Sequence, residues 1–181
     1  MFPVRRTRWV TFDCDGTLVN FTASPALHSQ AGGHDQKVKS WPAVRPLDDV
    51  EPLLAELRRR GYRLGVLTNW DDATFETVHR TFRSPFDLFV TSERVRGFKP
   101  ELWHFRAFQM LAQARKENWI HIASDWKRDI VPAESFGIQR VWLDRHGTGE
   151  DPSRATVHVR TASEAARAVD WLFQGQAVFA S

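Results

Sequence analysis

Two aspartates separated by one residue, Asp13 and Asp15, are the residues of this sequence best suited to chemistry. They follow the apolar run 9–12, which is typical of a buried strand, and they precede Gly16, which is typical of a turn. At such a strand end, Asp13 could attack phosphorus as a nucleophile, while Asp15 protonates the leaving oxygen and later activates water. Taken alone, the pattern is equally typical of a strand that simply ends in an Asp-Gly turn.

Polar residues recur after later strand-like or turn segments, in a fixed order along the chain. They are Thr68 and Asn69 after the apolar run 64–67, Lys99 after a turn near Gly97, and Asp125 after the run 120–123, with Asp129 four residues further on. In an open parallel sheet, ligands bind beyond the carboxyl ends of the strands. We therefore expect a hydroxyl, an amine and two carboxylates to meet the first pair of aspartates.

Strand-like runs alternate with helical patterns along most of the chain. We predict strands at 8–13, 62–67, 88–90, 119–123 and 139–143, and helices at 48–60, 71–82, 101–115, 128–136 and 163–173. Such alternation implies right-handed crossovers and an α/β fold, with helices on both faces of a three-layer, Rossmann-like parallel sheet.

The four motifs together resemble those of the haloacid dehalogenase superfamily of hydrolases, along nearly the whole chain. The segments are Asp13-Cys14-Asp15-Gly16-Thr17, Thr68-Asn69, Lys99-Pro100, and Asp125 with Asp129. Flanking phrases such as 67–72 and 129–133 are similar to the branch that contains the 2-haloacid dehalogenases and related phosphatases.

The resemblance implies a role for each of these residues. Asp13 is expected to be the nucleophile and Asp15 the general acid and base. Thr68, Asn69 and Lys99 are expected to bind the phosphoryl group, and Thr68 and Lys99 to take part in catalysis. Asp129 would hold Lys99 or a metal-bound water. The implied cofactor is Mg²⁺, and its expected ligands are Asp13, Asp125 and the backbone carbonyl of Asp15.

Asp15 distinguishes the two activities of that branch. Dehalogenases similar to this chain usually carry an aromatic residue at this position, because a departing halide needs no proton, whereas an alkoxide does. Asp125 favours the same conclusion, since a metal ligand has little use in haloacid hydrolysis. We therefore expect a phosphate monoester hydrolase that works through an aspartyl-phosphate. A 2-haloacid dehalogenase-type hydrolase and a catalytically weak binding protein are the alternatives. Where the family usually has Gly before the metal-binding Asp, this chain has Ser124.

Composition narrows the setting in which the protein works. The chain has 181 residues, 25 basic and 22 acidic side chains, and one cysteine, Cys14, which cannot form an intrachain disulfide. This cysteine usage fits a reducing compartment, and we see no signal-peptide pattern, so a cytoplasmic location is expected. The arginine run 58–60 indicates the solvated end of a helix rather than a nucleic-acid surface. No run is long and apolar enough to predict a membrane span.

We expect a single hydrolase domain over 1–174, in which 20–44 is a short loop or lid in place of the much longer cap domain of the family, and a tail at 175–181. Such an open site suits a small phosphate ester or a larger phosphorylated substrate. The expected assembly is a monomer or a homodimer, with no nucleic-acid or membrane partner.

Overall fold

The computed structural model of the protein describes residues 7–20 and 44–178, and side chains up to residue 175. The expected lid at 20–44 lies outside these residues except for its two ends. The described part contains a six-stranded sheet in which every neighbouring pair is parallel, in the order β3-β2-β1-β4-β5-β6. The strands are β1 (Trp9–Phe12), β2 (Arg63–Thr68), β3 (Leu88–Thr91), β4 (Trp119–Ala123), β5 (Gln139–Leu143) and β6 (Val157–Val159).

Helices cover both faces of this sheet. They are α1 (Val50–Arg59), α2 (Asp72–His79), α3 (Ser92–Val95), α4 (Trp103–Ala112), α5 (Val131–Phe136) and α6 (Ala162–Val178). Core residues of α1, α2 and α6 share one buried cluster with Val10 and Phe12 of β1. Core residues of α4 and α5 share a second cluster with Trp9. Because alternate residues of a strand point to opposite faces, these two clusters are the two interfaces of a three-layer α/β sandwich, as predicted.

The strands at the centre of the sheet end at the same level. Phe12 of β1 is paired with Val66 of β2 and with Ile122 of β4. Just beyond β1, the amide of Asp13 donates a hydrogen bond of 3.2 Å to the carbonyl of Ile122. The segments that leave β1, β2 and β4 therefore emerge side by side, which is what the sequence motifs require.

A glycine in β2 lets one helix approach the sheet closely. A Cβ atom added to Gly65 would lie 2.5 Å from the ring of Phe108 and 3.1 Å from the carbonyl oxygen of Leu88. Phe108 belongs to α4, so any larger residue at 65 would push this helix outward. Since α4 directly follows the Lys99 segment, the close approach also fixes where that segment enters the site.

Several boundaries differ from the prediction. The sequence analysis did not identify β6, and α6 continues to Val178, four residues into the predicted tail. The predicted helix 128–136 begins earlier, as a π-helical turn at Trp126–Ile130 that leads into α5. Gly137, at a φ of 84°, ends α5 in the left-handed conformation, as expected for a glycine cap.

The arginine run at the end of α1 is paired with acidic groups. Arg58 lies 2.8 Å from a carboxylate oxygen of Asp87, and Arg59 lies 2.7 Å from one of Glu56. Arg60 contacts both Glu56 and Asp170. Arg59 is exposed, as predicted, whereas Arg58 and Arg60 are partly buried and join α1 to neighbouring elements. Among the described residues, no helix combines the length and the apolar character that crossing a membrane requires.

Candidate active site

The ammonium group of Lys99 is the centre of the candidate site. Its Nζ donates hydrogen bonds to Oδ1 of Asp13 at 2.7 Å, to Oδ1 of Asp129 at 2.6 Å and to the carbonyl of Leu67 at 2.9 Å. An ammonium has three N–H groups, so each is directed at a protein acceptor. The lysine is 3% exposed, and its partners come from the ends of β1 and β2 and from the π-helical turn. Lys99 thus joins three segments that are distant in the sequence.

The nucleophile candidate sits in an unfavourable place for a negative charge. Burial, and then repulsion from Asp129, raise the pKa of Asp13 from 3.8 to about 7, against the opposing effect of Lys99. Two carboxylates share a single lysine here, so one excess negative charge is held in a buried site. The carboxyl of Asp129 keeps a pKa below its usual range, because Lys99 and His121 both donate to it. We therefore place the labile proton on Asp13.

A line of buried hydrogen bonds supports Asp129 from behind. Nε2 of His121 lies 3.0 Å from Oδ1 of Asp129, and Nδ1 of His121 lies 2.9 Å from Oγ1 of Thr11. The indole of Trp119 donates to the same Thr11 oxygen at 2.8 Å. Burial lowers the pKa of His121, so the ring is neutral. Only one arrangement of protons satisfies every contact: Trp119 donates to Thr11, Thr11 to His121, and His121 to Asp129.

Asn69 holds the backbone of the lysine. Its Nδ2 donates to the carbonyl of Lys99 at 3.1 Å, and its Oδ1 accepts from the amide of Lys99 at 2.7 Å. This two-point contact fixes the lysine segment against the end of β2. The sequence analysis expected Asn69 to bind substrate, whereas in the structure both ends of its amide contact Lys99.

Thr68 is buried beside the cluster, at the end of β2. Its Oγ1 accepts from the amide of Trp70 at 3.2 Å, which leaves the hydroxyl proton able to reach a ligand oxygen. Its carbonyl lies 3.0 Å from Nε2 of His104. Burial, and then the charge of Lys99, lower the pKa of His104 to about 4, so a neutral ring donates this bond. His104 thus fixes the backbone that carries Thr68.

The loop after β1 is attached to the loop after β4 through two hydroxyls. The amide of Ser124 donates to Oγ1 of Thr17 at 2.9 Å, and that hydroxyl donates to Oγ of Ser124 at 3.1 Å. Ser124 Oγ in turn lies 3.4 Å from the carbonyl oxygen of Asp15. Gly16 has a φ of 71°, and a Cβ there would lie 2.8 Å from Ser124 Oγ. The serine therefore fits this loop because residue 16 has no side chain.

Asp125 begins the π-helical turn and is bound to Arg128. Its Oδ1 accepts from the backbone amide of Arg128 at 2.7 Å, and its Oδ2 accepts from Nε of the same residue at 2.7 Å. Asp125 lies two residues past the end of β4, and Asp13 one residue past the end of the neighbouring β1, so both lie at the same edge of the sheet.

The donor set suits Mg²⁺ in chemistry. Asp13 and Asp125 provide carboxylate oxygens and Asp15 a carbonyl oxygen, which are the ligands of a hard cation, and water and substrate would complete its coordination. The excess negative charge around Asp13 favours a cation there. Among the described residues, no three His, Cys, Asp or Glu side chains cluster as a metal site. The residues fit the ion, with Arg128 as a competitor for Asp125.

The structure brings Asp13, Lys99 and Asp129 into direct contact and places Thr68 and Asn69 next to them. The sequence analysis missed the contributions of His104 and His121. The ring of His121 is fully buried in β4. A histidine inside a fully buried strand needs a polar partner, and this requirement was the available signal. The partner of His121 is Asp129, and the sequence did not reveal it because the π-helical turn brings Asp129 back to β4.

Comparisons with known proteins bear on the family and on the fold. A family model described as haloacid dehalogenase-like hydrolase matches residues 26–143. Haloacetate dehalogenase H-2 of Moraxella sp. (strain B) is 29% identical over 131 residues, which cover 69% of this chain and 56% of that protein. Phosphoserine phosphatase of Thermus thermophilus is 31% identical over 106 residues, 58% of this chain and 43% of that protein.

The chain thus spans about half the length of these relatives. The crystal structure of a phosphatase of the same family from Thermococcus onnurineus superposes with a TM-score of 0.73 at 19% identity, over 90% of this chain and 98% of that one. This likeness shows the fold. Since the relatives include a dehalogenase and a phosphatase, the comparisons leave the choice between the two reactions to the site itself.

Asp13→Asn should stabilise the protein at high pH. The folded-state pKa of Asp13, about 7, lies above its ordinary value of 3.8, so the folded state binds the proton more tightly. Wild-type stability should therefore fall as the pH rises from about 4 to 7 and then level off. The variant lacks this fall. In urea unfolding with chelator present, we expect it to exceed the wild type by roughly 1–3 kcal/mol at pH 8 and by much less at pH 5. A less stable variant at pH 8 would mean that the charge of Asp13 is a net stabiliser.

Asn69→Ala should destabilise the protein in the absence of any ligand. Both hydrogen bonds to the backbone of Lys99 are lost, so the free energy of unfolding should fall by about 1–2 kcal/mol. Asn118→Ala is a matched control, because that residue lies in a 3₁₀ turn before β4. Urea unfolding of both variants measures the difference. Equal stability of Asn69→Ala and the wild type would instead assign the amide to substrate binding.

Proposed function

The chain belongs to the haloacid dehalogenase-like hydrolase family, and we propose that it is a Mg²⁺-dependent phosphatase that hydrolyses a phosphate monoester through an aspartyl-phosphate. The observation that carries the proposal is the second carboxyl, Asp15, two residues after a nucleophile candidate that Lys99 already holds. A small or larger phosphorylated substrate and a cytoplasmic location are parts of the same proposal.

Asp15 supplies what phosphate ester hydrolysis needs and halide displacement does not. An alkoxide is a poor leaving group, so a proton must reach its oxygen as the bond to phosphorus breaks. Asp15 lies in the loop that Ser124 and Thr17 hold, one residue before the turn at Gly16. From there its carboxyl group can act beyond the edge of the sheet, while Asp13 stays buried against Lys99.

The reaction would take place in two steps. A carboxylate oxygen of Asp13 attacks phosphorus, the bond from phosphorus to the leaving oxygen breaks, and that oxygen takes the proton of Asp15. The Asp15 carboxylate then accepts a proton from water, whose oxygen attacks phosphorus. The bond to Asp13 breaks, and inorganic phosphate leaves. Lys99 stabilises Asp13 as a carboxylate in both steps, and the hydroxyl of Thr68 would donate to a phosphoryl oxygen.

The residues that would hold Mg²⁺ are Asp13, Asp125 and the carbonyl of Asp15. When bound, the ion would offset the repulsion between the anionic site and an anionic substrate. The Lys99 cluster supports this requirement, because its two carboxylates outnumber its one cation. Without a further positive charge, a phosphate would approach a site that is already negative.

One observation favours the second candidate, a 2-haloacid dehalogenase. Arg128 occupies the carboxylate of Asp125, and a metal-free reaction would leave that ion pair undisturbed. In this reaction, Asp13 would attack carbon and halide would leave without a proton. Asp15 would then have no part in the chemistry, which is why we place the dehalogenase second.

A panel of phosphate esters and 2-haloacids, assayed with Mg²⁺ and with chelator, tests the proposal. We expect release of phosphate that chelation stops and added Mg²⁺ restores, because the anionic cluster needs a cation to accept the substrate. No halide should be released. Halide release that is indifferent to the chelator would replace the phosphatase with the dehalogenase.

Asp15→Asn should affect substrates according to their leaving groups. The variant loses the proton donor but keeps the backbone carbonyl. Alkyl phosphates, with basic leaving oxygens, should therefore react roughly a hundredfold more slowly or worse. Activated aryl phosphates should lose less in the first step, and the aspartyl-phosphate should accumulate because its hydrolysis lacks a base. Rates against leaving-group pKa for both proteins, with trapping of the intermediate, measure this. A uniform loss without accumulation would remove Asp15 from the chemistry.

A further inference from the structure

Arg128 engages three of the four lone pairs of the Asp125 carboxylate. Oδ1 accepts the backbone amide of Arg128 as the cap of the π-helical turn. Oδ2 lies 2.7 Å from Nε and 2.7 Å from an Nη atom of the same guanidinium. A carboxylate oxygen has two lone pairs, so the fork of Arg128 engages both lone pairs of Oδ2.

Oδ1 keeps one lone pair beside the capping bond, but a cation there would compete with that bond, so Oδ2 is the oxygen better suited to a divalent cation. Displacing the bond at Oδ1 would uncap the turn that also carries Asp129, and so would disturb the contact between Asp129 and Lys99. Oδ2 becomes available once the guanidinium swings away. The side chain of Arg128 is 53% exposed, so it can reach solvent without unpacking the core.

The field around Arg128 extends to the nucleophile. Asp125 most strongly, and then Asp13 and Asp129, raise the pKa of Arg128 despite its partial burial. The guanidinium of Arg128 therefore stays charged where it pairs with Asp125. A divalent cation on Asp125 would be repelled by this positive charge and would also compete with it for Oδ2.

We propose that Arg128 is a latch that closes the Oδ2 ligand position of Asp125, and that it must release this oxygen before Mg²⁺ can bind there. The inference rests on the metal set of the proposed function, and it adds a residue that sets the metal affinity. The affinity is then determined by competition between the guanidinium and the ion for one oxygen. A weak, easily lost metal is the expected consequence.

Arg128→Gln opens the latch, and Lys127→Gln is its matched control. Lys127 carries the same charge one residue earlier and is also exposed, whereas the described side-chain contacts of Asp125 are to Arg128. Direct titration with Mg²⁺ by calorimetry, and with Mn²⁺ by electron paramagnetic resonance, gives the dissociation constants without an activity assay. We expect Arg128→Gln to bind about three- to tenfold more tightly than the wild type, and Lys127→Gln to change by less than about twofold.

Two further variants locate the effect. Arg128→Lys keeps the charge but loses the planar fork, so it should show part of the gain. Adding Asp125→Asn to Arg128→Gln should abolish the gain, because the released oxygen is then no longer a carboxylate. Circular dichroism checks that each variant is folded.

Three results would overturn the latch. They are equal affinity in Arg128→Gln and the wild type, wild-type affinity in Arg128→Lys beside a tightened Arg128→Gln, or a gain that survives Asp125→Asn. The first would show that Asp125 is not limiting, the second that charge alone acts, and the third that the ion binds elsewhere. Phosphate release by the wild type at saturating Mg²⁺ is measured separately. A phosphatase without tightening in Arg128→Gln refutes the latch alone, and tightening without phosphatase activity refutes the function alone.

Discussion

One buried ammonium group, that of Lys99, holds the active-site segments together. Its Nζ donates hydrogen bonds of 2.6 to 2.9 Å to Asp13, to Asp129 and to the carbonyl of Leu67 in β2. A buried lysine is costly unless its charge is compensated, and here two carboxylates contact it directly. The segment that carries Lys99 must therefore be placed accurately. Asn69 does this through the backbone, and the close packing of α4 against Gly65 limits how far the segment can move.

Neutral histidines complete the polar core without changing its charge. His121 donates to Asp129 and His104 to the carbonyl of Thr68, and burial keeps both rings uncharged. Protonated rings would neutralise the carboxylates and lower the pKa of Asp13. Oδ2 of Asp129 is buried without a hydrogen-bond partner among the described residues, so the charge of this carboxylate is only partly compensated. The surroundings of Asp13 are therefore negatively charged, and this charge lowers the stability of the folded state when Asp13 is ionised.

The apolar runs of the sequence were enough to predict five of the six strands in the described part of the chain. The polar residues that follow these runs indicated which side chains lie at the edge of the sheet. The sequence pattern did not predict features that depend on very short elements, on helix ends or on the conformation of turns. β6 has only three residues, too few for a period, and α6 extends past Gly175 because no residue there forces a stop. Two contacts depend on the conformation of turns: that of Arg128 with Asp125, and that of Asn69 with the backbone of Lys99. Residue spacing in a single sequence does not predict such contacts. The predicted ends of α1 and α4 differ from the observed ones by one to three residues, since helix termini depend on capping contacts.

Asp15 favours a phosphatase, whereas the ion pair between Arg128 and Asp125 favours a metal-free dehalogenase. The balance of charges in the site reconciles the two observations. A phosphate monoester brings up to two negative charges into a cluster whose two carboxylates face one lysine, so phosphate chemistry requires an added cation. Arg128 is already paired with Asp125, and moving it toward the substrate would leave that carboxylate uncompensated. A divalent ion held by Asp13 and Asp125 would compensate both carboxylates at once, and it would free the guanidinium. The ion pair between Arg128 and Asp125 is therefore compatible with the proposed metal-dependent reaction as well as with a metal-free one, and in the former the binding of metal would accompany the release of Arg128.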